Sequence, residues 1–230
     1  MKVGVLLPTF RRGADDALDF AERAANAHLD GVFAYDHLWP MGTPTRPSLA
    51  PFGLLAVVAT RHEELCVGPL VARVGMVSTA HLVEQFRTLE SLAPGRVIAA
   101  LGTGDKLSAP ENAAYGLEVR SADERRALLA ATHEQLAPTL PVWFGAGSST
   151  TNELARTLGA TLNLWGASAA RLATECLIGP TSWAGPAPDD LEEHLDALSR
   201  AGANWAIFSP DVALGPLEYW RTANEVSRFS

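Results

Sequence analysis

Eight times along this chain a short apolar run is followed by a stretch with apolar residues at helical spacing. Nothing else in the sequence constrains the fold as strongly. The runs cover residues 3–8, 31–35, 65–71, 96–101, 141–144, 161–164, 180–183 and 205–208. Several carry no polar alternation, which suits a parallel sheet covered on both faces. Helical segments are predicted over 15–29, 51–61, 79–92, 121–137, 150–159, 168–176, 189–201 and 217–226. In the first of these, Leu18, Ala21, Ala25 and Leu29 share one face. Ser121 with Glu124 spells a capping box, Thr150 with Glu153 and Asp189 with Glu192 repeat the pattern, and Gly202 suits a helix C-terminus.

Eight strand–helix units in 230 residues are about 29 residues each, a lean (β/α)8 TIM barrel with short loops. A doubly wound open sheet is the competing arrangement. The regular units, with no break in composition, favour the barrel and one domain over residues 1–230. Trp143, Trp165, Trp183 and Trp205 recur in or just after the last four strands. They read as core filling or as the mark of a repeated unit.

Composition narrows the function. The chain has 18 basic and 26 acidic residues, a formal charge of −8, and no Lys/Arg cluster, which argues against nucleic acid as a partner. No stretch approaches 18 uninterrupted apolar residues, so no spanning helix is expected. The first apolar run is too short for a secretory signal and reads as a strand, so the expected compartment is the cytoplasm. Cys66 and Cys176 lie far apart in apolar surroundings and read as small hydrophobes. No metal pair, nucleophile elbow or P-loop is spelled. His62, His81, His133 and His194 read as solvated or capping histidines.

A barrel's active site lies at the C-terminal ends of its strands, and four such places carry candidate chemistry. After the second strand, Asp36 and His37 stand beside Trp39, a pattern suited to proton transfer near a bound ring. After the fourth, Gly102-Thr103-Gly104-Asp105 lets a ligand approach the backbone and supplies an acid. After the fifth, Gly145-Ala146-Gly147-Ser148 feeds a helix N-terminus, a setting for one phosphate. No acidic residue stands at dinucleotide-fingerprint distance, which excludes a nicotinamide Rossmann site. After the third, Leu70-Val71-Ala72-Arg73 offers apolar wall for a flat ring.

These stretches together resemble the bacterial-luciferase-like family of flavin- and deazaflavin-dependent oxidoreductases and monooxygenases. The residues that carry the likeness are the Val-Gly-Val-Leu-Leu-Pro start, Asp30-Gly31-Val32-Phe33, residues 36–40, Leu92 through Val97 into Gly102-Thr103-Gly104-Asp105, and residues 141–148. The resemblance implies a (β/α)8 barrel, often a homodimer, with the cofactor over the C-terminal mouth. It implies cofactor contacts at Thr103 and Gly104, and phosphate contacts at Gly145, Ala146, Gly147 and Ser148. Asp36 and His37 would lie beside the ring, with Asp36 orienting His37. Asp105 would serve as proton donor or acceptor, and Trp39 would wall the substrate pocket. A non-prolyl cis peptide would support the ring near Leu70-Val71.

Family members usually carry a long insertion over the mouth, whereas here only about twenty residues separate Asp105 from the next helix. A reduced lid weakens the case for oxygen chemistry, which needs water excluded. The expected function is therefore hydride transfer between coenzyme F420 and a small organic substrate. The alternatives are an FMN-dependent monooxygenase served by a separate flavin reductase, and a non-catalytic flavin-binding protein or partner subunit.

Overall fold

The inside of a closed parallel sheet must be filled by side chains from every strand. This sequence fills it by setting glycine against large aromatics. The computed structural model describes residues 1–40, 42–104, 108–118 and 120–226. The first units are β1 (Lys2–Leu6), α1 (Asp15–Asn26), β2 (Gly31–Ala34) and α2 (Pro51–Arg61). The third barrel strand comes in two pieces, β3 (Cys66–Pro69) and β4 (Ala72–Arg73), followed by α3 (Thr79–Leu92) and β5 (Ala99–Gly102). Then come α4 (Ala109–Ala114), α5 (Ala122–Leu136), β6 (Val142–Gly145), α6 (Ser149–Leu158), β7 (Thr161–Trp165) and α7 (Ala169–Cys176). The chain ends with β8 (Thr181–Gly185), α8 (Leu191–Arg200), β9 (Trp205–Phe208) and α9 (Leu214–Val226).

All pairings are parallel, in the order β3-β2-β1-β9-β8-β7-β6-β5-β4. A single bridge between Val67 and Val97 joins β3 to the approach of β5, so the barrel is nearly closed. Between β3 and β4 the Leu70-Val71 peptide is cis, at the place the resemblance implied.

Inside, β1 and β2 set Gly4 opposite Gly31. A Cβ on Gly4 would lie 3.0 Å from the Phe33 ring and 3.3 Å from Trp205, and one on Gly31 would lie 3.2 Å from Trp205. That space is taken by an aromatic plug. Phe33 meets Trp205 edge-on at 5.6 Å and Trp143 at 5.9 Å, and the two tryptophans are 5.9 Å apart. Leu6, Leu70, Ile98, Ala100, Ala184 and Ile207 complete this inner cluster. A second, larger apolar layer lies between the strands and the helices. In α1 it takes Ala17, Phe20, Ala21, Ala24 and Ala25, the stripe the helical period dictates.

The four tryptophans thus do different things. Trp143 and Trp205 fill the barrel, whereas Trp183 lies in the outer layer and donates its indole N–H to the Ala167 carbonyl at 2.8 Å. Trp165 is exposed at the mouth. Two expected caps move by one or two residues. Ser148 rather than Thr150 caps α6, its hydroxyl accepting from the Thr151 N–H, and Asp190 rather than Asp189 caps α8. The capping box of Ser121 and Glu124 is present in full. His133 is buried rather than solvated and meets Phe144 at 5.6 Å, and the partly buried His194 packs on Trp183 at 4.7 Å. Before α5, in a stretch where the sequence predicts no helix, stands the short helix α4. Cys66 and Cys176 are free and partly buried.

Candidate active site

Where β2 ends, the chain turns out of the sheet and delivers Tyr35, Asp36 and His37 to the C-terminal mouth. Where β4 ends, it delivers Arg73 beside them. The Arg73 backbone N–H donates to Asp36 Oδ2 at 2.8 Å, and its Nε donates to the Asp36 carbonyl at 3.0 Å. Its Nη1 then reaches Glu111 Oε2, at 2.8 Å, and Asn112 Oδ1, at 3.4 Å, both on α4. Glu111 in turn faces His37: Nδ1 lies 3.2 Å from Oε1 and 3.3 Å from Oε2. The Trp39 backbone N–H also donates to Oε1, at 3.4 Å.

The Glu111 side chain is 2% exposed and that of Arg73 5%, while the His37 ring is 26% exposed. Two opposite charges are thus held out of water, where each would be costly alone. The imidazole that touches them faces the open side. With Nδ1–H donating to a carboxylate, Nε2 is the ring nitrogen left for a bound molecule. Burial pushes the Asp36 carboxyl above the usual carboxylate range, partly offset by the Arg73 N–H and charge.

The expected orienting acid for His37 was Asp36. The structure gives that contact to Glu111 and turns Asp36 toward the Arg73 backbone. Adjacent residues leaving a strand point to different sides, so one of the pair faces the neighbouring strand. Asp105, the expected proton donor, lies outside the described residues.

Beneath the mouth, Val71 forms an apolar ledge. A Cβ on Gly102 would come 2.3 Å from its Cγ2, and one on Gly145 would come 3.3 Å from its Cγ1, so both glycines exist to let Val71 sit there. Leu70 is buried beside it. Tyr35 stands across the rim, stacked on Phe10 at 5.3 Å and 6.2 Å from Trp165, with the His37 ring 6.5 Å away. Burial raises the Tyr35 phenol, so it stays a neutral hydrogen-bonding group.

At the end of β6 the turn Gly145-Ala146-Gly147-Ser148 leads into α6. The Ala146 N–H donates to the Asn163 carbonyl at 2.7 Å, and the Gly147 N–H to Asn152 Oδ1 at 3.0 Å. These bonds hold the turn open. The N–H groups of Ser149 and Thr150, which precede any intrahelical acceptor, lie on the surface. Such a helix start suits a phosphate. Thr103 and Gly104 follow β5, but their carbonyls face Arg125 Nη1, at 2.9 and 2.7 Å, and Thr103 Oγ1 donates to Gly104. Trp39 is buried and packs on Tyr115 of the α4 end, at 5.8 Å.

The family model described as luciferase-like monooxygenase matches residues 1–176. The chain belongs to this family.

Among curated members, the chain is 32% identical over 111 residues to an F420-dependent glucose-6-phosphate dehydrogenase of Intrasporangium calvum. That match covers 47% of this chain and 33% of the relative. It is 31% identical over 107 residues to the F420-dependent hydroxymycolic acid dehydrogenase of Mycobacterium tuberculosis, covering 46% and 30%. Matches of this kind span about a third of the relatives' own length. Among solved structures, an F420-dependent secondary alcohol dehydrogenase in complex with an F420-acetone adduct superposes with a TM-score of 0.77. It is 14% identical, over 96% of this chain and 97% of that one, and shares the luciferase-like barrel.

Sequence reasoning missed Glu111, Arg73 and Tyr35 as members of this luciferase-like mouth. Arg73 and Tyr35 each stood at a predicted strand end, which was a usable signal. Glu111 had none, because it sits in a stretch where the sequence predicts no element that would turn one residue inward.

Proposed function

We propose that the chain is an F420-dependent oxidoreductase acting on a small organic substrate. The observation that carries this reading is the His37–Glu111 contact at the mouth, anchored by Arg73 and set beside an apolar ledge. The residues present fit a flat, phosphate-bearing cofactor. Leu70 and Val71 offer a surface for a ring. The turn from Gly145 to Ser148 presents the exposed start of α6, whose Ser149 and Thr150 N–H groups offer donors to its phosphate. When bound, the deazaflavin ring would supply hydride transfer.

The chain's own part is positioning and proton handling. Glu111 fixes the His37 ring through Nδ1, and Nε2 holds or takes the proton that accompanies reaction at the substrate. Arg73 holds the Glu111 carboxylate in place. Trp39, through its backbone N–H, locks the loop that carries His37. Asp36 accepts from the Arg73 N–H and so fixes the strand end that carries the guanidinium. The F420-dependent relatives favour the deazaflavin over FMN, and the short segment over the mouth favours hydride transfer over oxygen chemistry.

The test is a fluorescence-quench titration of the purified chain with F420 and, separately, with FMN. Saturable binding of F420 alone supports the reading. Binding of FMN alone points to a monooxygenase fed by a separate reductase, and binding of neither overturns the cofactor assignment. His37→Ala should lower turnover by about a hundredfold or more with the fold intact. Unchanged turnover removes His37 from the mechanism.

A further inference from the structure

Arg73 is the only member of the Asp36–His37–Glu111–Arg73 network that also lines a second cavity. This cavity, of about 170 Å³, lies between the end of β4, the loop after β5, and helices α4 and α5. Two further arginines line it, Arg120 and Arg125, with Thr103 and Asn112 beside them. Gly75 and Gly104 bring the backbone close to the arginine stems, both at positive φ. A Cβ on Gly104 would lie 3.6 Å from Arg73 Cδ, and one on Gly75 would lie 3.8 Å from Arg120 Cδ and Nε.

Among the described residues the charge around this cavity is unbalanced. Among the described lining residues Glu118 is the one acid, 75% exposed and 3.4 Å from Arg120 Nη2. Glu111 pairs with Arg73 without lining the cavity. Arg125 donates to the carbonyls of Thr103 and Gly104 and, among the described residues, has no carboxylate partner. Among the described residues three N–H groups have no acceptor: Arg73 Nη2, Arg120 Nε and Arg125 Nε, all hidden from solvent. An unpaired buried donor on a charged group is expensive, and three cations gathered without enough anion repel one another.

We propose that this cavity is an oxyanion site, taking a phosphate or carboxylate group between Arg73, Arg120 and Arg125. Planar guanidinium forks suit such groups, since each can donate two parallel hydrogen bonds. The cavity has room for one group of this size. The site is distinct from the turn at Gly145–Ser148, none of whose residues lines it. Arg73 would couple it to the mouth, because the same guanidinium holds Glu111.

The test is calorimetric titration of the full chain, free of cofactor and at low ionic strength, with inorganic phosphate and separately with succinate. Four proteins are compared: the native chain, Arg120→Gln, Glu118→Gln and Thr150→Asp. Thr150→Asp places a negative charge at the start of α6 and blocks phosphate there without touching the cavity. Saturable binding of either probe is expected in the native chain and in Thr150→Asp. It should weaken about tenfold or more in Arg120→Gln and tighten in Glu118→Gln, which removes a competing carboxylate. Saturation by phosphate or by succinate identifies which group the site prefers. Saturation by neither overturns the proposal. So does phosphate binding that disappears in Thr150→Asp and is unchanged in Arg120→Gln.

Discussion

Glu111 shows how much can rest on one side chain. Its carboxylate accepts from His37, Trp39 and Arg73 while almost wholly buried. Removing one partner of a buried pair leaves the other charge uncompensated, so Glu111→Gln should destabilise the chain by about 3 kcal/mol. The measurement is the midpoint of urea unfolding. The double variant Arg73→Met/Glu111→Leu should recover much of the loss, and an unshifted midpoint in the single variant would show that the pair is not coupled. His37 was legible in the sequence because it stands one residue past an acid at a strand end. Glu111 was not, because only the folding of α4 across the mouth turns it inward. The Asp36–His37 pairing failed as an expectation for the same kind of reason. Chain neighbours suggest contact, but the backbone directions at a strand exit separate them.

At the scale of elements, the helices that cover the barrel carry two histidines against aromatic rings. Burial lowers the pKa of His133 on α5 and of His194 on α8 from 6.5, and His194 Nε2 has no hydrogen-bond partner. The unfolded chain therefore takes up protons that the folded chain refuses. Stability is full above pH 6.5 and declines as pH falls below it toward the depressed folded values. Unfolding free energy measured across that range should fall less steeply in His133→Phe and His194→Phe. An unaltered slope would assign the acid sensitivity to other groups. The strands make a second prediction. A Cβ on Gly68 would come 2.3 Å from the Ile98 carbonyl, at the bridge that joins β3 to the approach of β5. Since backbone, not a flexible side chain, is in the way, Gly68→Ala should cost about 3 kcal/mol, read from denaturant unfolding. Periodicity alone located these elements to within a few residues. It did not locate the break after β3, because an apolar period does not register Gly68-Pro69, the pair that marks it.

The whole molecule is tied together where its two ends meet beneath the barrel. Asp30 Oδ2 accepts from the Val3 N–H at 2.8 Å and from Arg221 Nε at 3.1 Å, joining β1, the start of β2 and α9. Arg221 also reaches the His28 carbonyl. Arg221→Ala should therefore loosen the last helix, lowering stability by about 2 kcal/mol and speeding amide exchange along α9. Exchange unchanged in α9 would show that its apolar face alone holds it.

The sequence by itself determined the number and order of the strand–helix units, which faces are apolar, and which strand ends face the mouth. Those follow from local period and from turn residues, which act within a few positions of themselves. The tertiary structure alone decided which charges meet there. Arg73 lies 37 positions from Asp36 and 38 from Glu111, and both contacts arise only when barrel closure sets β4 beside the end of β2 and lays α4 over them. Closure also gathers Arg73, Arg120 and Arg125 around one cavity. No local pattern in the sequence specifies such a meeting, because its energetics depend on burial that exists only once the ring is closed.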